Sequence, residues 1–549
     1  MQINLILLST APTPHFAWPL GEVYRSAPVP AELASLVGKL PIADAAAWLF
    51  WDPALGLPDA ERIAQLSESS AQVLHAGLLL GLCGLPACID FVSPAWMLHA
   101  DPPAEGPTCT SWKLSLRACL IRSEALLHCG GPWPGFHSLD AAGLELGHRF
   151  IKAGVIVRHE PQMLADGRKQ PTRQSLDLED ELLFLRMRTG SFWTKYAIMR
   201  MIFSGFASMG DMRKAWNKAA RQPLAAAVRP FRHPLPVPGK AVGAVTVLIP
   251  TIDRYPYLRC VLEQLERQTV LPLEAVVIDQ TPLSKRDTAV ASHIQKFPVR
   301  MLYLDQPGQC SARNLGLNAA SGGYVLFLDD DDEVEPDLIE RHLANLAAFR
   351  ADVSAGVADE SGAGPLPEGF TFVRVSDVFP TNNCMIRKSV LERSGLFDLA
   401  YDRGSRADGD LGMRVYLSGA LMILNPTISV FHHHAPMGGL RTHKARKITY
   451  AASRQSLLHR HLPSATEVYL WKRYFTDRQV REEAWLRAMG TYAVRGGMIR
   501  KIGKAIVATV LAPHTWWQIR RAQEAADAML RKYPSIPSLP QSPAGQGPA

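Results

Sequence analysis

Four short apolar, β-branched runs fix what this chain can fold into: Ala244 to Thr251 (AVTVLIPT), Leu273 to Gln280 (LEAVVIDQ), Val299 to Gln306 (VRMLYLDQ) and Gly323 to Asp330 (GYVLFLDD). The first two flank a helical pattern, YLRCVLEQLERQ. Strands that alternate with helices pair in parallel, and a parallel sheet must be covered on both faces. The expected fold is therefore α/β, a doubly wound, mostly parallel sheet. Such sheets bind ligands at the carboxyl ends of their strands. Pro250, Thr251 and Asp253, then Asp279, then the aspartates after the fourth run are expected on one crevice edge.

Those aspartates belong to YVLFLDDDDEVEPD, Tyr324 to Asp337. Adjacent carboxylates repel one another, so stability gives no reason to crowd them at a strand end. A helix cap at Asp332 or Glu335 before Pro336 explains one of them, not four. A hard divalent cation explains the group, because Mg2+ or Mn2+ takes oxygen ligands and shares its shell with substrate phosphates. The implied substrate carries a diphosphate.

Two further stretches carry chemistry. In GQCSARNLGLNAASGG a helix is expected to begin near Ser311, with backbone N–H groups and Arg313 facing an anion or the acidic edge. In RADGDLGMRVYLSG, Asp410 is read as the cap of the following helix and Asp408 as a loop residue. Asp408 is either a solvated side chain or a general base.

Composition excludes several classes. At 549 residues and 47% hydrophobic, the chain can bury a large core and is not disordered. No run of about 18 apolar residues suggests a spanning helix, and Met1 to Thr10 lacks the basic start of a signal peptide. The eight cysteines form no C-x-x-C pair or zinc spacing, so a reduced, cytoplasmic protein is expected. From Arg441 to Lys532, 19 Lys and Arg face six Asp and Glu, so the net +8 of the chain is concentrated in its tail. No nucleic-acid recognition motif accompanies that charge.

In order along the chain, VTVLIPTIDRYPYL, VVIDQ, SARNLGL, YVLFLDDDDEVEPD, NNCMIRKSVLERSGLFD and RADGDLGMRVYLSGA resemble the family 2 inverting glycosyltransferases of the GT-A fold, over about residues 244 to 434. The resemblance implies a nucleotide-sugar donor, most often UDP-linked, a divalent metal (Mn2+ or Mg2+), inversion at the anomeric carbon, and a glycan or lipid-linked acceptor in bacterial surface polysaccharide or glycolipid synthesis. It implies donor contacts from Pro250, Thr251, Asp253, Asp279, Arg313 and Asp330, metal ligation by Asp329 and Asp331, and Asp408 as the base. The usual Glu-Asp pair at the base position is Ala407-Asp408 here. Some relatives supply a metal-binding histidine after the last strand, and among His432, His433 and His434 the best single candidate is His432. PMGGLRTH after them reads as a flap. No Q-x-x-R-W is present, which argues for single addition. A sugar nucleotidyltransferase would want a glycine-rich loop where PTIDRYPY stands, and a non-catalytic sugar-binding protein would need neither Asp408 nor the D-x-D pair; both classes stay open.

The first 240 residues repeat the frame. Cys119 to Pro161 aligns without a gap on Cys384 to Pro426, matching Cys119, Ile121, Arg122, Gly130, Arg149 and Gly154 to Cys384, Ile386, Arg387, Gly395, Arg414 and Gly419. WLFWDPALGLPD echoes the acidic strand end with only Asp52 left, and Gly143 stands in the place of Asp408. The expected organisation is a degenerate lobe (1–175), a helical connector (176–221), a basic Pro-rich linker (222–243), a catalytic domain (244–440), a basic helical region (441–535) and a disordered tail (536–549). Within the basic region, MIRKIGKAIVATVLAPHTWW is read either as a helix on an anionic membrane surface or as one packed on the catalytic domain.

Overall fold

The structure, a computed structural model, describes residues 2–11, 16–76, 85–100, 108–164, 175–224, 226–236, 243–360, 364–435 and 453–539. The flap read at 436–443 lies outside them. The chain divides into two compact units, one of residues 1–234, 371–375 and 416–421, the other of 235–370, 376–415 and 422–549. The connector helices Leu178–Phe203 and Met209–Ala219 fall in the first, the basic C-terminal region in the second.

Among the described residues sixteen strands follow in chain order: β1 (Ile3–Leu7), β2 (Val23–Arg25), β3 (Ala47–Trp51), β4 (Val73–Ala76), β5 (Cys109–Thr110), β6 (Ala118–Arg122), β7 (Val157–His159), β8 (Val245–Thr251), β9 (Glu274–Asp279), β10 (Val299–Tyr303), β11 (Tyr324–Leu328), β12 (Asp332–Val334), β13 (Val353–Glu360), β14 (Arg374–Val375), β15 (Asn383–Arg387) and β16 (Met422–His432). The first sheet runs β2-β1-β3-β6-β4-β7-β5 and the second β10-β9-β8-β11-β15-β13-β16-β12. Both are mixed. In the second, β10, β9, β8 and β11 are parallel neighbours, and β15 enters antiparallel between β11 and β13. β9 and the first five residues of β8 are fully buried, as strands covered on both faces must be, which accounts for their unbroken apolar runs.

The two sheets are copies of one plan. β3 meets β6 with Phe50 opposite Cys119, and β11 meets β15 with Phe327 opposite Cys384. β4 sets Val73 against Ile121, and β13 sets Val353 against Ile386. The matched side chains also make matched bonds. Arg149 holds Glu145 at 2.8 Å and the carbonyl of Cys129 at 2.7 Å; Arg414 holds Asp410 at 2.8 Å and the carbonyl of Ser394 at 2.6 Å. Gly130 and Gly395 end equivalent helices at φ +79°, where a side chain would be strained.

The copies differ where chemistry is expected. In the first unit the Asp52 carboxylate accepts from the Ala54 N–H (2.9 Å) and pairs with Arg117 (2.7 Å), so its charge is neutralised internally. Gly143, at the position of Asp408, lies under main chain: a β-carbon there would meet the Leu114 carbonyl at 2.7 Å. The frame is retained and the acid positions are closed.

In the second unit the C-terminal region packs as helices Ala465–Tyr474, Asp477–Gly490, Met498–Val510 and Ala512–Lys532. Ser464 and Glu467 form a capping box, and Glu467 also meets Arg406 (3.1 Å) and Arg487 (3.4 Å). Burial alone would raise this carboxyl, but Arg487, the Ser464 N–H and Arg406 outweigh it and hold the group at about 2. Because its value is lower folded than unfolded, its full contribution is present above about pH 4.5 and is lost as pH falls towards 2, worth roughly 3 kcal/mol. Glu467→Gln is expected to lower stability at pH 7 and to flatten the acid limb between pH 4.5 and 2, read by denaturant midpoints at each pH. Parallel acid limbs for the two proteins would refute this.

Candidate active site

The site is built on strand ends. β8 delivers Pro250 and Thr251, and β11 delivers Asp329 to Asp332. β12 pairs antiparallel with β16, setting Asp332 directly opposite His432. The result is a cleft of about 350 Å3 lined by Pro250, Thr251, Ile252, Arg254, Gln280, Gln309, Arg313, Asp329, Asp330, Thr381, Phe397, Ala407 and Asp408. Of the residues expected from the sequence, Pro250, Thr251, Arg313, Asp329, Asp330 and Asp408 share it.

Asp329, Asp331 and His432 each offer one ligand atom within 4.8 Å of the others, the single such set of three among the described residues. Asp331 is buried; its Oδ2 accepts from the Ala435 N–H at 2.8 Å, and its Oδ1, which makes no hydrogen bond, is ion-paired with Arg254 Nη1 at 3.1 Å. Arg254 offsets part of this charge, and two carboxylates with one imidazole are donors of the kind a divalent ion takes. The donor set therefore fits a hard divalent ion. His432 Nδ1 lies 2.9 Å from Asp332 and 3.8 Å from Asp331. The hydrogen bond to Asp332 and the neighbouring aspartate charges raise its pKa to about 9 against the opposing effect of burial, so an ion entering here must displace that proton. His433 turns to Glu333 (3.0 Å) and His434 to Glu360 (3.2 Å), so one of the three imidazoles joins the acid set.

Arg254 gives no periodic signal in the sequence, and its role emerges only in the fold. Its Nη1 lies 3.0 Å from Asp330 and 3.1 Å from Asp331. Asp330 also accepts from Thr251 Oγ1 at 2.7 Å. Burial pushes the Asp330 carboxyl up to about 7 despite Arg254 and Thr251, and the Asp331 charge adds to the rise. With both oxygens engaged, Asp330 is tied into the wall of the cleft. Arg313 reaches Asp329 at 3.2 Å, as the acidic-edge reading expects. The anion site expected at the start of its helix is taken: the Asp402 carboxylate accepts from the N–H groups of Cys310 (2.8 Å) and Ser311 (2.9 Å). Gly308 permits that approach, since a β-carbon would sit 2.3 Å from Asp402.

Asp331 and His432 stand beside the cleft lining, and two expected donor contacts lie apart from it. Asp253 adopts φ +56°, which turns it outward to pair with Lys285 at 3.2 Å. Asp279 is fully buried and accepts from Tyr255 Oη (2.7 Å) and the Thr281 N–H (2.9 Å). A third expectation is corrected outright. Asp410 caps nothing: the helix spans Ala407–Leu417, and the Asp410 N–H already donates to the Arg406 carbonyl. Its carboxylate is fully buried, bound by Arg414 (2.8 Å) and by Tyr474 Oη (2.7 Å). Asp408 lies in the first helical turn, not in a loop, and is exposed to the cleft.

An α/β sheet with a carboxylate cluster at its strand ends, and a separate exposed carboxylate facing the same cleft, is the layout in which α/β enzymes place a ligand site. Residues 246–389 match the model of glycosyl transferase family 2. Apart from residues 371–375, that matched segment lies within the second unit, and it includes the β8 and β11 strand ends that build the cleft. Among curated relatives, glycosyltransferase GlyA of Streptococcus pneumoniae is 32% identical over 114 residues, which is 20% of this chain and 16% of that protein. The GalNAc(5)-diNAcBac-PP-undecaprenol β-1,3-glucosyltransferase of Campylobacter jejuni is 37% identical over 95 residues, 16% of this chain and 30% of that protein. These matches span well under half the length of either relative. Among solved structures, the mannosyltransferase PcManGT of Pyrobaculum calidifontis, in complex with GDP-Man and Mn2+, is 16% identical and covers 60% of this chain and 96% of its own, with a TM-score of 0.35.

Proposed function

We propose that this protein is a metal-dependent inverting glycosyltransferase that moves one sugar from a nucleotide-sugar donor, UDP-linked in the first instance, to a hydroxyl of a glycan or lipid-linked acceptor. The observation that carries this reading is the convergence of the Asp329, Asp331 and His432 ligand atoms beside a cleft that also holds an exposed carboxylate, Asp408. Asp329, Asp331 and His432 would hold a Mn2+ or Mg2+ ion, which would supply positive charge to offset a leaving diphosphate. Thr251 and Asp330 form the floor under the donor, and Arg313 and Arg254 keep the acid edge from repelling an anionic ligand. Asp408 accepts the acceptor proton as the hydroxyl attacks the anomeric carbon on the face opposite the leaving nucleotide, which inverts that centre. The Campylobacter relative, named for an undecaprenol diphosphate-linked acceptor, supports the lipid-linked choice.

Incubating the protein with a panel of nucleotide sugars, with and without Mn2+, and measuring released nucleotide tests the reading. Release confined to one or two donors and lost on chelation is the expected result. No release from any donor in the presence of metal, with nucleotide binding intact, would favour a sugar-binding protein instead.

A further inference from the structure

The helix Met498–Val510 is built inside out for a water-soluble surface. Met498, Ile499, Ile502, Ile506 and Val510 are 70, 87, 54, 60 and 72% exposed. At 100° per residue they share an arc of about 120°, the width of face that an amphipathic helix normally turns inward. The opposite side holds Lys504, which is 1% exposed and whose Nζ donates to the carbonyls of Ser456 (2.9 Å), Leu457 (3.0 Å) and His459 (2.8 Å). The chain has buried a lysine, at the cost of satisfying its three donors, and left the isoleucines out. In the next helix Trp517 is 50% exposed, with the Arg521 guanidinium 4.9 Å from its ring.

Charge selects the occupant of this face. From residue 484 to 523 the chain has seven basic residues (Arg487, Arg495, Arg500, Lys501, Lys504, Arg520 and Arg521) and no carboxylate. A second copy docking by two-fold symmetry would set these cations against themselves. A protein partner would have to match an apolar stripe with cations along both sides. An anionic lipid surface matches both at once: apolar side chains enter the acyl boundary, Trp517 sits at headgroup level, and Lys501, Arg500 and Arg521 meet phosphates. No helix among the described residues is long and apolar enough to cross a membrane, which leaves a helix lying in the interface plane. We infer that Met498–Val510, with Trp517, is a membrane-docking surface for anionic lipid. This inference stands apart from the reading of the cleft.

The test is co-sedimentation of the full chain with vesicles of phosphatidylcholine alone or with roughly one-third phosphatidylglycerol, at low and high salt. The parent is expected to pellet with the anionic vesicles and to release as salt rises. Ile502→Glu with Ile506→Glu should weaken that binding by at least about tenfold and leave the thermal midpoint unchanged, because both side chains already face solvent. Lys501→Gln with Arg521→Gln should remove the preference for anionic over neutral vesicles. Failure of the parent to bind at low salt would overturn the inference. So would unchanged binding of the glutamate variant, or a dimer that the glutamate variant converts to monomer.

Discussion

Asp331→Asn is expected to abolish metal-dependent turnover, by more than about 10²-fold, since even outer residues around a metal commonly cost 10- to 100-fold. The substitution keeps shape and volume. The amide oxygen can still accept from the Ala435 N–H, as Asp331 Oδ2 does at 2.8 Å. The other terminal atom becomes an NH2 group where Oδ1 now faces Arg254 and His432. A donor then replaces a ligand atom, and an ion loses one of its two carboxylates. Calorimetry should show Mn2+ binding lost while nucleotide binding measured without metal stays near the parent value. The thermal midpoint should change little, because removing one of several crowded negative charges relieves repulsion as it removes the attraction of Arg254. Full parent activity in excess chelator would sink the assignment, whatever the variant does.

The parts of this site that were legible in the sequence are those whose signal is local. Unbroken apolar runs mark β8, β9 and β11 because buried parallel strands need them on both faces. Four crowded aspartates mark a site that needs positive partners, and within the fold Arg254, Arg313 and His432 stand against them. The repeat was legible because packing positions such as Gly130 and Gly395 need the same backbone φ in both units. What the sequence hid depends on partners far along the chain. Asp402 caps a helix about 90 residues before it, so the free helix start seen in GQCSARN does not exist. Arg254 looks like an ordinary turn residue, and only the fold brings it to Asp330, 76 positions away. Asp253 was misplaced because a positive φ at a non-glycine residue has no sequence signature.

Asp410 shows the same limit most sharply, and it sets the second large expectation. An aspartate near a helix start reads as a cap, and a cap exchanged for asparagine costs little. Here the start is fixed earlier, by Arg406, whose carbonyl accepts from the Asp410 N–H at 3.0 Å, and the Asp410 carboxylate points inward to Arg414 and Tyr474. Asp410→Asn leaves the Arg414 guanidinium, about one-tenth exposed, without its counter-charge. Breaking such a buried pair costs about 3–5 kcal/mol, enough to lower the thermal midpoint by on the order of 10 °C. Asp408→Asn should do the reverse. That side chain is exposed to the cleft, so the midpoint and donor affinity should hold. Turnover should fall by roughly the 10²- to 10⁴-fold typical of a missing general base. Melting curves and single-turnover transfer on both variants separate the two roles. If Asp408→Asn melted early, or if Asp410→Asn kept its midpoint and lost only turnover, the base would be Asp410 and the cleft would have to open towards it.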